Sequence, residues 1–129
     1  MKEIENDYMK FWFEDGILFS KFQKDSIVGI EAVKQTIELR EQISVKKHQY
    51  WLYDIRNMKS VTNEARQYAV QHGHNLINAC AVLVDSYITK FIFTSYMKFS
   101  KPDFPFAVFA SKERAVKWLL ELKAKNEAV

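Results

Sequence analysis

"HQYWLYDIRNMKSVTNEARQYA" (His48 to Ala69) decides how this chain is read. It opens on a run of aromatic and branched residues, too apolar on both faces for a strand at an exposed edge. The run stops on Asp54. A polar, cationic loop with Arg56, Asn57 and Lys59 follows, and Thr62 stands where a helix can begin. From Thr62 to about His72, Ala65, Tyr68 and Ala69 recur at helical spacing, and Gly73 suits the C-terminal end. A buried strand that passes through a loop into a helix is the building unit of an α/β fold.

Working outward, the same unit recurs downstream. "ACAVLVDS" (Ala79 to Ser86) is a second buried strand; it ends on Asp85, and Ser86 caps a helix that Pro102 and Pro105 stop. "FPFAVFAS" (Phe104 to Ser111) is a third, and Ser111 caps a last helix that buries Ala115, Trp118, Leu119 and Leu122. Upstream, "MKFWFEDGILFSKF" (Met9 to Phe22) is a hairpin turned at Asp15-Gly16, which sets Phe13 opposite Leu18 and Trp12 opposite Phe19. Large apolar groups on both sides of this pair predict cover on at least part of each face. Ser26 is read as the cap of a helix running to about Ser44, with Ala32, Val33, Ile37, Leu39 and Ile43 on its apolar side. Arg40 falls inside that apolar arc, so it must snorkel outward or find a carboxylate. A structural ion pair between Arg40 and Asp54 is the preferred solution.

The order is then β-β-α-β-α-β-α-β-α. Right-handed crossovers between strands separated by helices give parallel neighbours. The expectation is an α/β fold with a single five-stranded mixed sheet, an N-terminal hairpin and about four helices, formed by residues 1–129 as one domain.

Composition narrows the partners. The 129 residues are 48% hydrophobic, enough for a core without disulfides, and the one cysteine, Cys80, sits in an apolar run as a small hydrophobe. A net charge of +3, with acids and bases interspersed, gives no footprint for nucleic acid. No apolar run approaches the roughly 18 residues of a membrane span, and the polar, acidic start is not a secretion signal. These features predict a soluble cytoplasmic protein with no integral membrane segment and no nucleic-acid partner.

Candidate chemistry gathers where strands end, because ligands of open α/β sheets favour the carboxyl ends of strands and the helix N-termini beyond them. Asp54, Arg56, Asn57, Asp85 and Ser86 form this candidate ligand or partner rim, with Ser111 and Lys112 beside it. Thr62, Ser86 and Ser111 have an equally direct reading as helix caps. Asp54 has two readings as well: a phosphoacceptor or metal ligand, or a structural carboxylate paired with Arg40 or Arg56. There is no glycine-rich phosphate loop, dinucleotide fingerprint or G-x-S-x-G elbow. His72 and His74, with His48 remote, make no ligand set. No catalytic residue, metal or cofactor is assigned. In the third helix Phe93, Tyr96 and Met97 lie off the side that faces the sheet. Either a neighbouring segment covers them, or they form an interface for a second copy, another protein or an apolar ligand.

Asp54 at the strand end, Ala65-Arg66, Val84-Asp85-Ser86, Lys101-Pro102 with Pro105, and Ala115 with Trp118-Leu119 together resemble the SpoIIAA-like group. These are small bacterial domains related to STAS and SEC14 proteins. The resemblance runs from about Tyr50 to about Leu122; before that only the layout matches. It implies a STAS-type α/β sandwich, frequently dimeric. In anti-sigma-factor antagonists of the wider family a kinase phosphorylates a serine that opens the helix after the central strand. That position falls within Ser60 to Thr62 here, so Ser60 and Thr62 are the candidate phosphoacceptors. The D-S-S-G type sequence of those proteins is absent, and Asn57-Met58-Lys59-Ser60 stands in its place.

The first functional reading is therefore a non-enzymatic regulatory or protein-interaction module acting through the Asp54–Thr62 loop and the third helix. The second is a carrier or sensor of a small apolar ligand or lipid, which needs a cavity. The third is a small hydrolase or transferase using Asp54, Asp85 and Ser86, which needs those side chains to converge.

Overall fold

In the computed structural model, residues 3–45, 47–87, 89–91, 94–95 and 102–127 are described. The strands are β1 (Glu3–Glu5), β2 (Met9–Glu14), β3 (Ile17–Phe22), β4 (Ser26–Val28), β5 (Gln49–Asp54), β6 (Met58–Val61), β7 (Ile77–Leu83) and β8 (Phe106–Phe109). The helices are α1 (Ile30–Ser44), α2 (Asn63–His72), α3 (helical at 87, 89–91 and 94–95) and α4 (Lys112–Glu127).

The main sheet is mixed, as expected, but has six strands in the order β1-β2-β3-β5-β7-β8, because β1 adds an edge the sequence did not signal. The hairpin forms as read. Phe13 faces Leu18 and Trp12 faces Phe19, and both Asp15 (φ 53°) and Gly16 (φ 77°) take the positive φ that a type I′ turn demands. From β3 onward the neighbours β3–β5, β5–β7 and β7–β8 are parallel, the outcome of helical crossovers.

β4 and β6 form a separate parallel pair. This corrects two expectations. Ser26 lies in β4, where its hydroxyl donates to the Gln23 and Tyr8 carbonyls, instead of capping a helix. Helix α1 starts later, behind Gly29, which makes no side-chain cap. The supposed loop after Asp54 is also partly a strand, held to β4 by Ser26 N–H to Asn57 O and Thr62 N–H to Val28 O.

Side-chain alternation gives the sheet two different faces. One carries Phe19, Leu52, Ala81 and Leu83, and α4 packs on it through Ala115 and Leu119. Alanines at 79, 81 and 115 let helix and sheet approach closely. The other face carries Phe11, Leu18, Phe22, Cys80 and Val82, joined by α1 and α2 residues such as Val33 and Ala65 and by Val28 and Val61 of the small sheet. Here aromatic groups replace the alanines, and the covering layer is assembled from two helices and two short strands.

Candidate ligand-binding site

Among the described residues the aromatic face does not fill. A cavity of about 330 Å³ lies on it, lined among others by Phe11, Phe22, Val33, Ile37, Trp51, Tyr53, Ile55, Ala65, Cys80 and Val82. Its walls come from β2, β3, β5 and β7 on one side and from α1, α2 and the β4–β6 pair on the other. The size falls within the range of small-molecule sites.

Local sequence explains the wall. Strand β5 reads Trp51 and Tyr53 on this face, two residues apart, so their rings stack at 4.6 Å with an interplanar angle of 19°. Tyr53 also meets Phe22 at 5.7 Å. The indole N–H of Trp51 donates to the Ser20 hydroxyl at 2.8 Å, which settles a polar tip that would otherwise be stranded.

Arg40 is the exception in this apolar setting. It is 1% exposed, and its guanidinium stacks over the Trp51 ring at 5.0 Å. Its Nη2 donates to Gly73 O at 3.2 Å, Asn75 O at 2.8 Å and Asn75 Oδ1 at 3.2 Å. Asn75 is held in turn by donating its Nδ2 to Glu41 Oε1 at 2.8 Å. Nη1 of Arg40 is buried with no hydrogen-bond partner among the described residues. Burial lowers the Arg40 pKa, partly opposed by the charges of Cys80, Glu41 and Tyr53; a guanidinium remains a cation even so.

The preferred Arg40–Asp54 pair is not formed. Asp54 is taken by Arg56, whose Nε and Nη2 donate to both carboxylate oxygens at 2.8–3.2 Å, while the Arg56 N–H donates to Oδ1 at 3.0 Å. A partner two residues away needs no long-range placement, and it outcompetes one that must reach across the core. The Asp54 hydrogen bonds raise the Arg56 pKa, with help from the charge of Asp85.

The remaining rim residues serve local structure. Asn57 Nδ2 donates to Phe22 O at 3.2 Å. Thr62 caps α2, accepting from Ala65 N–H at 3.0 Å. Ser86 accepts from Thr89 N–H at 3.1 Å and donates to Thr89 Oγ1, and Ser111 accepts from Arg114 N–H. Asp85 is exposed. Ser60 is exposed in β6, opposite Ile27, so it does not open the helix; Thr62 does. Phe93, Tyr96 and Met97 lie outside the described residues. Among those described, no three His, Cys, Asp or Glu side chains gather as a metal site, and no helix is long and apolar enough to cross a membrane.

Sequence reading marked Arg40 as anomalous but missed what surrounds it. Trp51, Cys80 and His74 all line the cavity. Burial pushes the Cys80 thiol up to about 12 and raises Tyr53. Burial, then the charge of Arg40, lowers the His74 pKa, opposed by the charge of Asp103.

Residues 11–123 match the profile of a domain of unknown function, DUF7793. The chain belongs to the DUF7793 family. Among solved structures this DUF7793 chain is similar to the crystal structure of an uncharacterised DUF3478-family protein from Shewanella loihica PV-4, described as having a SpoIIAA-like fold. The TM-score is 0.67 at 16% identity, covering 92% of this chain and 99% of that one. The SpoIIAA-like fold is thus shared by the DUF7793 domain. No curated protein matches the chain.

Proposed function

We propose that this domain is a non-enzymatic, STAS-type binding module that holds a small apolar ligand between its sheet and the α1–α2 layer. The observation that carries this reading is the cavity of about 330 Å³ walled by aromatic and aliphatic side chains. Packed interiors rarely keep voids larger than a water molecule, and dry apolar voids of even ~150 Å³ take up small hydrocarbons. The third reading, a hydrolase or transferase, is less favoured because the Asp54 carboxylate is engaged by Arg56 and the Ser86 hydroxyl by Thr89. Native mass spectrometry of the purified protein tests the proposal by detecting a bound apolar molecule. Ala69→Phe, which places a ring in the cavity, is expected to abolish its retention. Equal retention by the variant would refute the reading.

A regulatory role through a second copy or a protein partner is supported by a different observation. Tyr87 and Phe91, one turn apart on α3, are 76% and 74% exposed. Aromatic residues are enriched at interface cores. Sedimentation of the Tyr87→Glu, Phe91→Glu double variant tests this reading; the same mass as the wild type, if the wild type is a dimer, would end it.

A further inference from the structure

The cavity contains one group that an apolar ligand alone would leave unsatisfied, the Arg40 guanidinium. Nearly every buried charge is paired, since an unpaired one costs several kcal/mol in desolvation. Arg40 is 1% exposed and makes no ion pair among the described residues. Its Nη2 is saturated by the Gly73 and Asn75 oxygens. These acceptors are neutral, and they all lie on one nitrogen. Nη1 is fully buried, has no hydrogen-bond partner among the described residues, and belongs to a side chain that lines the cavity.

Building on the ligand-binding reading above, we propose that the ligand is an amphiphile with one terminal carboxylate, such as a long-chain carboxylic acid, whose head accepts from Arg40 Nη1 while its chain occupies the apolar cavity. A carboxylate supplies both missing elements, a negative charge and hydrogen-bond acceptors in the plane of the guanidinium. An alcohol or ester supplies an acceptor and leaves the charge unpaired. A cationic head meets Arg40 with like charge. Trp51 backs the guanidinium at 5.0 Å and fixes its plane, and the carbonyls of Gly73 and Asn75 hold it in place. The head-group site is thereby built before a ligand arrives, which lowers the ordering cost of binding.

The experiment titrates delipidated protein with dodecanoate and with dodecanol, following tryptophan emission and confirming stoichiometry by native mass spectrometry. The expected result is one equivalent of dodecanoate bound about tenfold or more tightly than dodecanol, the range of a charge-assisted hydrogen bond. Arg40→Met, which keeps a long apolar side chain, should bind both probes alike, and Arg40→Lys should recover part of the preference. The wild-type contrast decides the matter even if Arg40→Met fails to fold. Equal affinity of the wild type for both probes overturns the carboxylate assignment and leaves the cavity reading intact. Binding of neither probe overturns both.

Discussion

Arg40 and Asn75, 35 residues apart, are joined twice through a single nitrogen: Nη2 donates to the main-chain oxygen of Asn75 at 2.8 Å and to its side-chain oxygen at 3.2 Å. This contact ties α1 to the loop between α2 and β7. The next residue, Leu76, has a φ of 61°, unusual for a bulky residue. Arg40→Ala removes the donor and a large buried volume together, and a loss of about 3 kcal/mol or more is expected. Arg40→Met refills the volume and should cost clearly less. Urea denaturation of the two variants checks the ordering; equal losses would mean that volume plays no part.

Asp54 should be energetically coupled to Arg56 and not to Arg40. The Asp54–Arg56 pair is half exposed on its arginine side, so a double-mutant cycle is expected to give about 0.5–1 kcal/mol. The cycle between Asp54 and Arg40 should be additive within roughly 0.5 kcal/mol. Strong coupling in the second cycle would restore the ion pair expected from sequence.

The two central helices differ at their first residues, and the difference is measurable. Thr62 caps α2 through Ala65 N–H, so Thr62→Ala should destabilise by about 1 kcal/mol, with Thr62→Ser nearly neutral. Gly29 precedes α1 with no cap, an ordinary φ of −97° and free space around the site of a β-carbon. Gly29→Asp should therefore stabilise by about 0.5–1 kcal/mol, through a new cap and a stiffer unfolded chain. Thermal melts of both variants, moving in opposite directions, are the expected outcome.

At Gly16 the situation is reversed. Its φ of 77° is strained for any residue with a β-carbon, and such a carbon would lie 2.7 Å from Lys123 Cε. Lys123 can swing away, so the cost of Gly16→Ala is mainly conformational, about 1 kcal/mol. Gly16→Asn, which tolerates this region, should recover part of it.

Stability should fall at high pH, and Cys80 should set the onset. Its thiol pKa is pushed by burial from an ordinary 9.0 up to about 12, so the unfolded chain releases this proton first. The contribution is fully present below 9.0 and is lost as pH rises toward 12. Tyr53, also raised by burial, adds a loss in the same direction above its ordinary 10.0. Cys80→Ala should flatten the stability profile between 9.0 and 10.0, before the tyrosine contributes. Alkylation by iodoacetamide at about pH 8 should be slow in the folded protein and fast in urea, because only the thiolate reacts.

Much of this fold can be read locally. Asp15-Gly16 sets a hairpin register because few residue pairs accept two positive φ angles, and the run from Gln49 to Asp54 announces a central strand by being apolar on both faces. Strand β1 escapes notice because three mostly polar residues show no alternation, and β4 and β6 because they are short and pair with each other across the whole of α1 and β5. Ser26 illustrates the ambiguity: a serine before an apolar run suits a cap, yet its hydroxyl serves strand-end carbonyls. The site was legible only as an anomaly. Arg40 stands out on an apolar helix arc, but its acceptors are mainly backbone carbonyls, which carry no mark in the sequence, and a cavity is a shortage of volume that no single residue announces.

Helix α4 has a consequence for folding. Among the described residues it is the helix that covers the face holding Phe19, Leu52 and Leu83, yet it follows every described strand. A chain whose strands have paired still presents that face bare to other chains until α4 docks. Apolar sheet surface exposed in this way is prone to aggregate. The interval ends when α4 docks, so Leu119→Asp, which weakens that docking, should lower soluble yield.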